Sequence, residues 1–307
     1  MAESQWLEVS VWVENGELAE AVAEVLSRYV QNGVVTEREA IHAVGYDTGV
    51  AVGAYHVFGY LPVDEHIEEI RQQLSEGLWH LNLIQPVPDP TFRTIHDQNW
   101  MEAWKDHFHP IPVGERLMII PAWVENPDPK RLPIAIDPNM AFGTGTHPTT
   151  QLCMILLEKY ALPGQPVIDL GCGSGILSIA AVKLGIPRVV AVDIEMDSVK
   201  ATKENAERNG VLDAIQVGQG SVKEILAGAY TLKNAPLLLV NILATIIVRL
   251  LDEQLVELIQ PGGIGLFSGI LAEHETDFLD KAKDSGLQVL ERQVQGDWVA
   301  FAMRRIV

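Results

Sequence analysis

Apolar and polar side chains alternate through residues 6–13, WLEVSVWV, the pattern of a strand with one buried face. After Asn15 and Gly16 the period lengthens, and Leu18, Ala19, Val22, Ala23, Val25 and Leu26 recur at helical spacing up to Tyr29. Residues 33–60 are β-rich and glycine-spaced, residues 63–77 make a second amphipathic helix, and a short strand is predicted around 81–85. Strand, helix, strands, helix, strand in so short a span predicts a small α+β domain of ferredoxin-like type over residues 1–95. Pro86, Pro88 and Pro90 mark its boundary, because proline disfavours helix and central strand alike.

Beyond the prolines, Trp100, Trp104 and Phe108 fall four residues apart, on one face of a short connecting helix within a linker, residues 96–116. Such an aromatic stripe reads as packing. From residue 117 to 307 apolar runs and helical segments alternate. Strands are predicted at 117–123, 132–136, 166–170, 188–192, 215–217, 236–240 and 264–270, and helices at 150–160, 176–184, 200–209 and 273–285. Two last strands, 286–292 and 298–304, turn around Gly296 and Asp297, the final one antiparallel. This is the layout of an α/β cofactor domain, and the material before it reads as an addition that chooses the substrate.

The centre of that domain is VIDLGCGSG, residues 167–175. An apolar strand carries Asp169 near its end, then Gly171, Gly173 and Gly175 make a turn tight enough for a ligand to approach the backbone. A helix, a second strand and Asp193 follow, the unit that dinucleotide-binding folds use to set negative groups at a helix N-terminus and ribose hydroxyls on an acid. The spacing D-x-G-x-G-x-G differs from the G-x-G-x-x-G of nicotinamide enzymes and resembles the first motif of S-adenosylmethionine-dependent methyltransferases. In those enzymes the acidic residue before the turn, here Asp169, faces the amino-acid end of the cofactor.

Three further features bear on chemistry. The segment 137–150, DPNMAFGTGTHPTT, is dense in glycine and threonine just before a helix and reads as a wall of the cofactor pocket. Gly220 and Ser221 follow the third strand of the cofactor unit, where the adenine edge would lie. Asn241 ends a fully apolar strand, and an amide at the carboxyl end of a central strand points into the ligand crevice of an open parallel sheet.

Charge sharpens the division. The net charge is −19, and residues 1–95 hold 15 acidic against 4 basic side chains. That field repels phosphate, argues against a large nucleic-acid footprint, and suits a basic partner. Cys153 and Cys172 form no disulfide or metal pattern, and His107 and His109 lack further ligands at metal spacing, so no metal is expected. No signal peptide is visible, and the most apolar stretch, 237–251, is interrupted by Asn241, Thr245 and Arg249. A cytoplasmic protein, most simply a monomer, with no membrane contact is the expectation.

At this point a closer resemblance emerges. DPNMAFGTGTHPTTQLC, VIDLGCGSGILSIAA, VDIE, LLLVNILA, PGG and SGI together are similar to the PrmA family, methyltransferases of ribosomal protein L11. The resemblance covers essentially the whole chain. It implies a seven-stranded, Rossmann-like class I methyltransferase domain behind a small substrate-recognition domain, S-adenosyl-L-methionine as cofactor, and lysine and N-terminal amines of a basic ribosomal protein as acceptors. It implies cofactor contacts at Thr149, Thr150, Gly171, Asp193 and Asn241, with Phe142 and Gly143 in the flanking loop. Asn241 is also the candidate for orienting the amine, and His147 a possible proton acceptor. Many amino-group methyltransferases carry Asn-Pro-Pro and an aromatic here, whereas Asn241 is followed by Ile242, Leu243 and Ala244. Two other readings fit the residues: a small-molecule methyltransferase, for which the acidic domain is dispensable, and a nucleotide-binding adaptor without activity.

Overall fold

The computed structural model describes residues 6–38, 54–64, 66–82, 85–95, 109–136 and 145–306. The chain divides into two compact units, Met1–Phe108 and His109–Val307.

The first unit runs β1 (Trp6–Val13), α1 (Gly16–Ser27), β2 (Gln31–Arg38), β3 (Tyr55–Pro62), α2 (Ile67–Asn82) and β4 (Thr91–Ile95). Its sheet has the order β2-β3-β1-β4, and every pairing is antiparallel. The alternation in β1 sends Leu7, Val9, Val11 and Val13 into one core with Leu18, Val22 and Leu26 of α1 and Leu74 and Leu78 of α2. Asn15 starts α1 by accepting the Leu18 N–H at 2.8 Å, which satisfies one of the orphan donors of the first turn.

One element differs from expectation. No strand begins at residue 81: α2 continues to Asn82, because Leu81 extends the spacing of Leu74 and Leu78 and packs on the same core. The fourth strand is instead Thr91–Ile95, beyond the prolines, with Phe92 paired to Val9. The proline run is thus a connection inside the unit. The expected helix over 99–108 lies outside the described residues.

The second unit opens with a three-stranded sheet of β5 (Ile111–Val113), β6 (Leu117–Pro121) and β7 (Leu132–Ile136), so residues read as the end of a linker form a strand. Then come α3 (Pro148–Tyr160), β8 (Val167–Leu170), α4 (Ile176–Lys183), β9 (Val189–Asp193), α5 (Met196–Arg208), β10 (Ile215–Gln219), α6 (Val222–Leu226), β11 (Ala235–Asn241), α7 (Ala244–Asp252), β12 (Ile259–Leu271), α8 (Glu275–Asp284), β13 (Leu287–Gln295) and β14 (Trp298–Arg305). The described strands of the large sheet run β10-β9-β8-β11-β12-β14-β13. The first five are parallel, and β14 is antiparallel to both neighbours.

Burial on both faces explains the apolar runs. Val167, Leu237, Leu239 and Leu266 face a core shared with α3 and α4. Ile168, Leu238, Val240 and Phe267 face another with α7 and Phe278 of α8. Strands sandwiched this way need no alternation. From β8 the chain moves outward to β9 and β10, then returns to β11 on the other flank. The order therefore reverses between β8 and β11, which opens a crevice at their carboxyl ends. Among the described residues no helix is long and apolar enough to cross a membrane.

Candidate functional site

Strand register sets the floor of that crevice. Leu170 lies opposite both Val192 and Val240, Gln219 opposite Asp193, and Asn241 opposite Ser268. Gly171, the next residue after Leu170, is therefore level with Asp193 and Asn241. One row across the carboxyl edge reads Gln219, Asp193, Gly171, Asn241, Ser268. At about 4.8 Å per strand, Asp193 and Asn241 stand roughly 10 Å apart with the glycine turn between them.

The turn is tied down almost atom by atom. Gly171, Gly173 and Gly175 have φ of +76°, +52° and +82°, the left-handed region that favours glycine. The N–H groups of Gly171 and Cys172 donate to Val192 O at 2.8 and 3.1 Å, and that of Gly175 to Cys172 O at 2.8 Å. Gly173 N–H donates to Asp193 Oδ2 at 2.9 Å, while Asp193 Oδ1 accepts from Glu195 N–H at 3.0 Å. Two backbone donors fix the Asp193 carboxylate and still leave lone pairs that can accept ribose hydroxyls.

Asp169 lies beneath the turn, fully buried. Its Oδ2 accepts the Ser178 hydroxyl at 2.6 Å, whereas Oδ1 has no hydrogen-bond partner among the described residues. Burial pushes this carboxyl up to about 7, Ser178 opposes the shift, and the neighbouring Asp193 charge adds to it. A buried acceptor with an unused oxygen fits a ligand that brings a positive or N–H-bearing group, such as the ammonium of an amino-acid moiety. The two carboxylate acceptors thus suit both ends of S-adenosyl-L-methionine.

On the other bank α3 presents its first turn. His147 caps it: Nδ1 accepts the Thr149 N–H at 3.3 Å and lies 2.8 Å from Thr149 Oγ1. Its ring meets Trp298 edge-on, with centroids 4.8 Å apart. Burial pushes the imidazole down to about 4, so it is neutral at pH 7 and a weaker base than free histidine. That role is structural and does not favour proton acceptance. Asn241 Nδ2 donates to Thr150 Oγ1 at 3.4 Å, and Ser268 Oγ donates to Thr149 O at 2.9 Å. Thr149, Thr150 and Ser268 are buried and Asn241 is half-buried. Asn241 thus stands at the carboxyl end of β11 with its amide nitrogen against Thr150 of α3.

Asp169, Gly171, Gly173, Asp193 and Asn241, with Thr149 and Thr150, thus gather around one crevice. Ser221 stands two residues past Gln219 and opens α6, where its N–H donates to Glu224 Oε2 at 2.9 Å, a helix-capping role. Phe142 and Gly143 lie outside the described residues. The sequence reading missed three residues. Ile194, directly after Asp193, is 64% exposed, an apolar side chain at the rim of the crevice. Thr202 and Asn205 of α5 reach the carbonyls of the turn. The available signal was their place at helical spacing on a face that buries Val199 and Ala206.

Comparison with known proteins identifies the family. A family model described as ribosomal protein L11 methyltransferase (PrmA) matches residues 5–306. The chain is 40% identical over 331 residues to a ribosomal protein L11 methyltransferase of Chloroflexus aurantiacus, covering 99% of each chain. It is 38% identical over 325 residues to that of Herpetosiphon aurantiacus, covering 99% of this chain and 100% of the relative. A crystal structure of a ribosomal protein L11 methylase from Lactobacillus delbrueckii subsp. bulgaricus superposes with a TM-score of 0.58 at 32% identity, covering 65% of this chain and 100% of that one.

Proposed function

Since the chain belongs to the ribosomal protein L11 methyltransferase (PrmA) family, we propose that it methylates lysine and N-terminal amino groups of ribosomal protein L11, with S-adenosyl-L-methionine as methyl donor. The observation that carries the reading is the row Asp193, Gly171, Asn241 at the switch point of the sheet, above the unpaired oxygen of Asp169. In this assignment Asp193 accepts the ribose hydroxyls and Asp169 the amino-acid end. Thr149, Thr150 and the glycine turn, with Phe142 and Gly143 in the flanking loop and Ser221 at the adenine edge, line the cofactor. The bound cofactor supplies a methyl group on a sulfonium, ready for in-line attack by a neutral amine.

The chain's own residues then have two tasks. The first is to orient the amine, for which the Asn241 carbonyl oxygen is the candidate acceptor. The second is to favour the neutral amine: a free lysine, with pKa ~10.4, needs roughly 4.6 kcal/mol to lose its proton at pH 7. Docking in a dry crevice disfavours the ammonium and contributes part of that. The acidic first unit supports recruitment of a basic ribosomal protein without a large nucleic-acid interface. Its strand order and βαββαβ succession support a ferredoxin-like substrate-recognition domain, and a ribosomal substrate supports action in the cytoplasm.

Incubation of the full-length protein with methyl-labelled S-adenosyl-L-methionine and a mixture of large-subunit ribosomal proteins tests this. Label should enter L11 and be recovered as methylated lysine and N-terminal amine. Label in a small-molecule fraction, with none in protein, would support the small-molecule alternative instead.

A further inference from the structure

Helix α5 has an unusual inner face. Alongside Val199, Ala201 and Ala206 it buries Thr202 and Asn205, both with no exposed surface, and Asn209 follows at the helix end on the same stripe. A buried hydroxyl or amide without a partner is destabilising, so such a stripe persists only if each group is satisfied. Here each is satisfied by backbone of another segment. Thr202 Oγ1 donates to Gly173 O at 2.8 Å, and Asn205 Nδ2 donates to Ser174 O at 2.9 Å, its Oδ1 being held by Arg208 Nη1 at 2.7 Å. Asn209 grips both groups of one β7 residue: Oδ1 accepts the Ala135 N–H at 2.9 Å, and Nδ2 donates to Ala135 O at 2.7 Å. Lys183 Nζ, at the end of α4, donates to Asn209 O at 3.1 Å.

The consequence lies in the peptide plane. A carbonyl and the N–H of the next residue share one rigid plane and point opposite ways. Holding Gly173 O and Ser174 O toward α5 therefore fixes the directions of the Ser174 and Gly175 N–H groups. The fit is also steric: a Cβ on Gly175 would lie 2.8 Å from Thr202 Cγ2 and 3.1 Å from its Cα. The other foot of the stripe holds β7, which pairs in parallel with β6, and Ile119 of β6 in turn touches Gly145, the first described residue before α3.

We propose that Thr202, Asn205 and Asn209 are positioning residues for the cofactor, joining the glycine turn to β7 through one polar stripe so that the turn is in its binding geometry before the ligand arrives. The proposal rests on the reading of this turn as an S-adenosyl-L-methionine site. None of the three need touch the ligand. Their contribution is preorganisation, which appears as affinity.

The test uses the full-length protein and S-adenosylhomocysteine, whose binding is read by calorimetry without turnover. Thr202→Val keeps the shape and removes the hydroxyl; it should weaken binding about 10-fold, and Thr202→Ser should recover most of the loss. Asn209→Ala, distant from the turn, should weaken binding about 3-fold to 10-fold. The Thr202→Val, Asn209→Ala double variant should lose less than the product of the two, since both act through one helix. In steady state the losses should appear in KM for the methyl donor far more than in kcat. Folded Thr202→Val protein binding within twofold of wild type overturns the proposal, as does Thr202→Ser binding no better than Thr202→Val. A fall in kcat with KM unchanged also overturns it. Wild-type protein that fails to bind S-adenosylhomocysteine overturns the cofactor reading itself.

Discussion

The two banks of the crevice are built by different means. On the glycine-turn bank, the N–H groups of Gly171, Cys172, Gly173 and Gly175 and the carbonyls of Gly173 and Ser174 all have partners at 2.8 to 3.1 Å. On the opposite bank Asn241 makes one long bond of 3.4 Å to Thr150, and the residue after it is held by shape. A Cβ on Gly171 would lie 2.5 Å from Ile242 Cγ2, and one on Gly269 2.2 Å from Ile242 O, so two glycines make the slot that Ile242 fills. Directional hydrogen bonds hold the backbone of the turn itself on the first bank, whereas on the second they hold α3, through Ser268 Oγ to Thr149 O at 2.9 Å and the His147 cap, and leave Asn241 only the long contact to Thr150.

The largest test of that contrast is Asp193→Ala. It deletes the bonds from Gly173 and Glu195 N–H as well as the proposed ribose contacts. Charged hydrogen bonds contribute about 1.5–3 kcal/mol each, so S-adenosylhomocysteine affinity should fall about 100-fold or more in calorimetry. A change below threefold would show that the turn does not depend on this carboxylate. Next in size is Asn241→Ala. Here kcat for protein methylation should fall about 10-fold to 100-fold, with a smaller loss of cofactor affinity. An affinity loss as large as that of Asp193→Ala would erase the functional distinction between the banks.

The contrast also explains what could be read in advance. The turn bank is local: Asp169, the glycines and Asp193 fall in one strand-turn-helix-strand unit, and their spacing alone carries the logic. Strand β1 was legible for the same reason, since its period of two is uninterrupted. Thr202, Asn205 and Asn209 leave only a faint signal, their helical spacing on the face of Val199 and Ala206. A polar helix reads as a solvated surface until its inner face meets the turn and β7, where Thr202 and Asn205 are buried donors and Asn209 is a half-buried one. The strand Thr91–Ile95 was obscured by the three prolines before it, and its place is fixed by pairing with a strand some eighty residues earlier. Contacts made across such separations leave no periodic trace.

Asp169→Asn sharpens the comparison through pH. The carboxyl is pushed up to about 7 in the folded protein, against 3.8 ordinarily, by burial with the Asp193 charge adding. Between those values the folded state holds a proton that the unfolded chain has lost. Stability from this group is therefore present at low pH and is lost as pH rises through about 7. The amide variant removes that term. Its thermal midpoint relative to wild type should climb between pH 5 and 8, while its affinity for the cofactor falls with the lost charge. A difference in midpoint that stays flat with pH would mean that Asp169 is ionised throughout.

The smallest expected effect concerns His147, and it separates capping from chemistry. Burial holds its imidazole at about 4, below the ordinary 6.5, so the unfolded chain binds the proton more tightly. Its contribution is complete above pH 6.5 and is lost as pH falls toward 4, opposite in sign to that of Asp169. His147→Ala removes the acceptor for the Thr149 N–H and should cost about 1 kcal/mol of unfolding free energy at pH 7. His147→Asn supplies another capping oxygen and should recover most of that while abolishing the fall below pH 6.5. If the cap is the whole role, kcat for the Asn variant stays within a few-fold of wild type across pH 6 to 9. A kcat loss approaching that of Asn241→Ala would instead make the imidazole part of the acceptor bank.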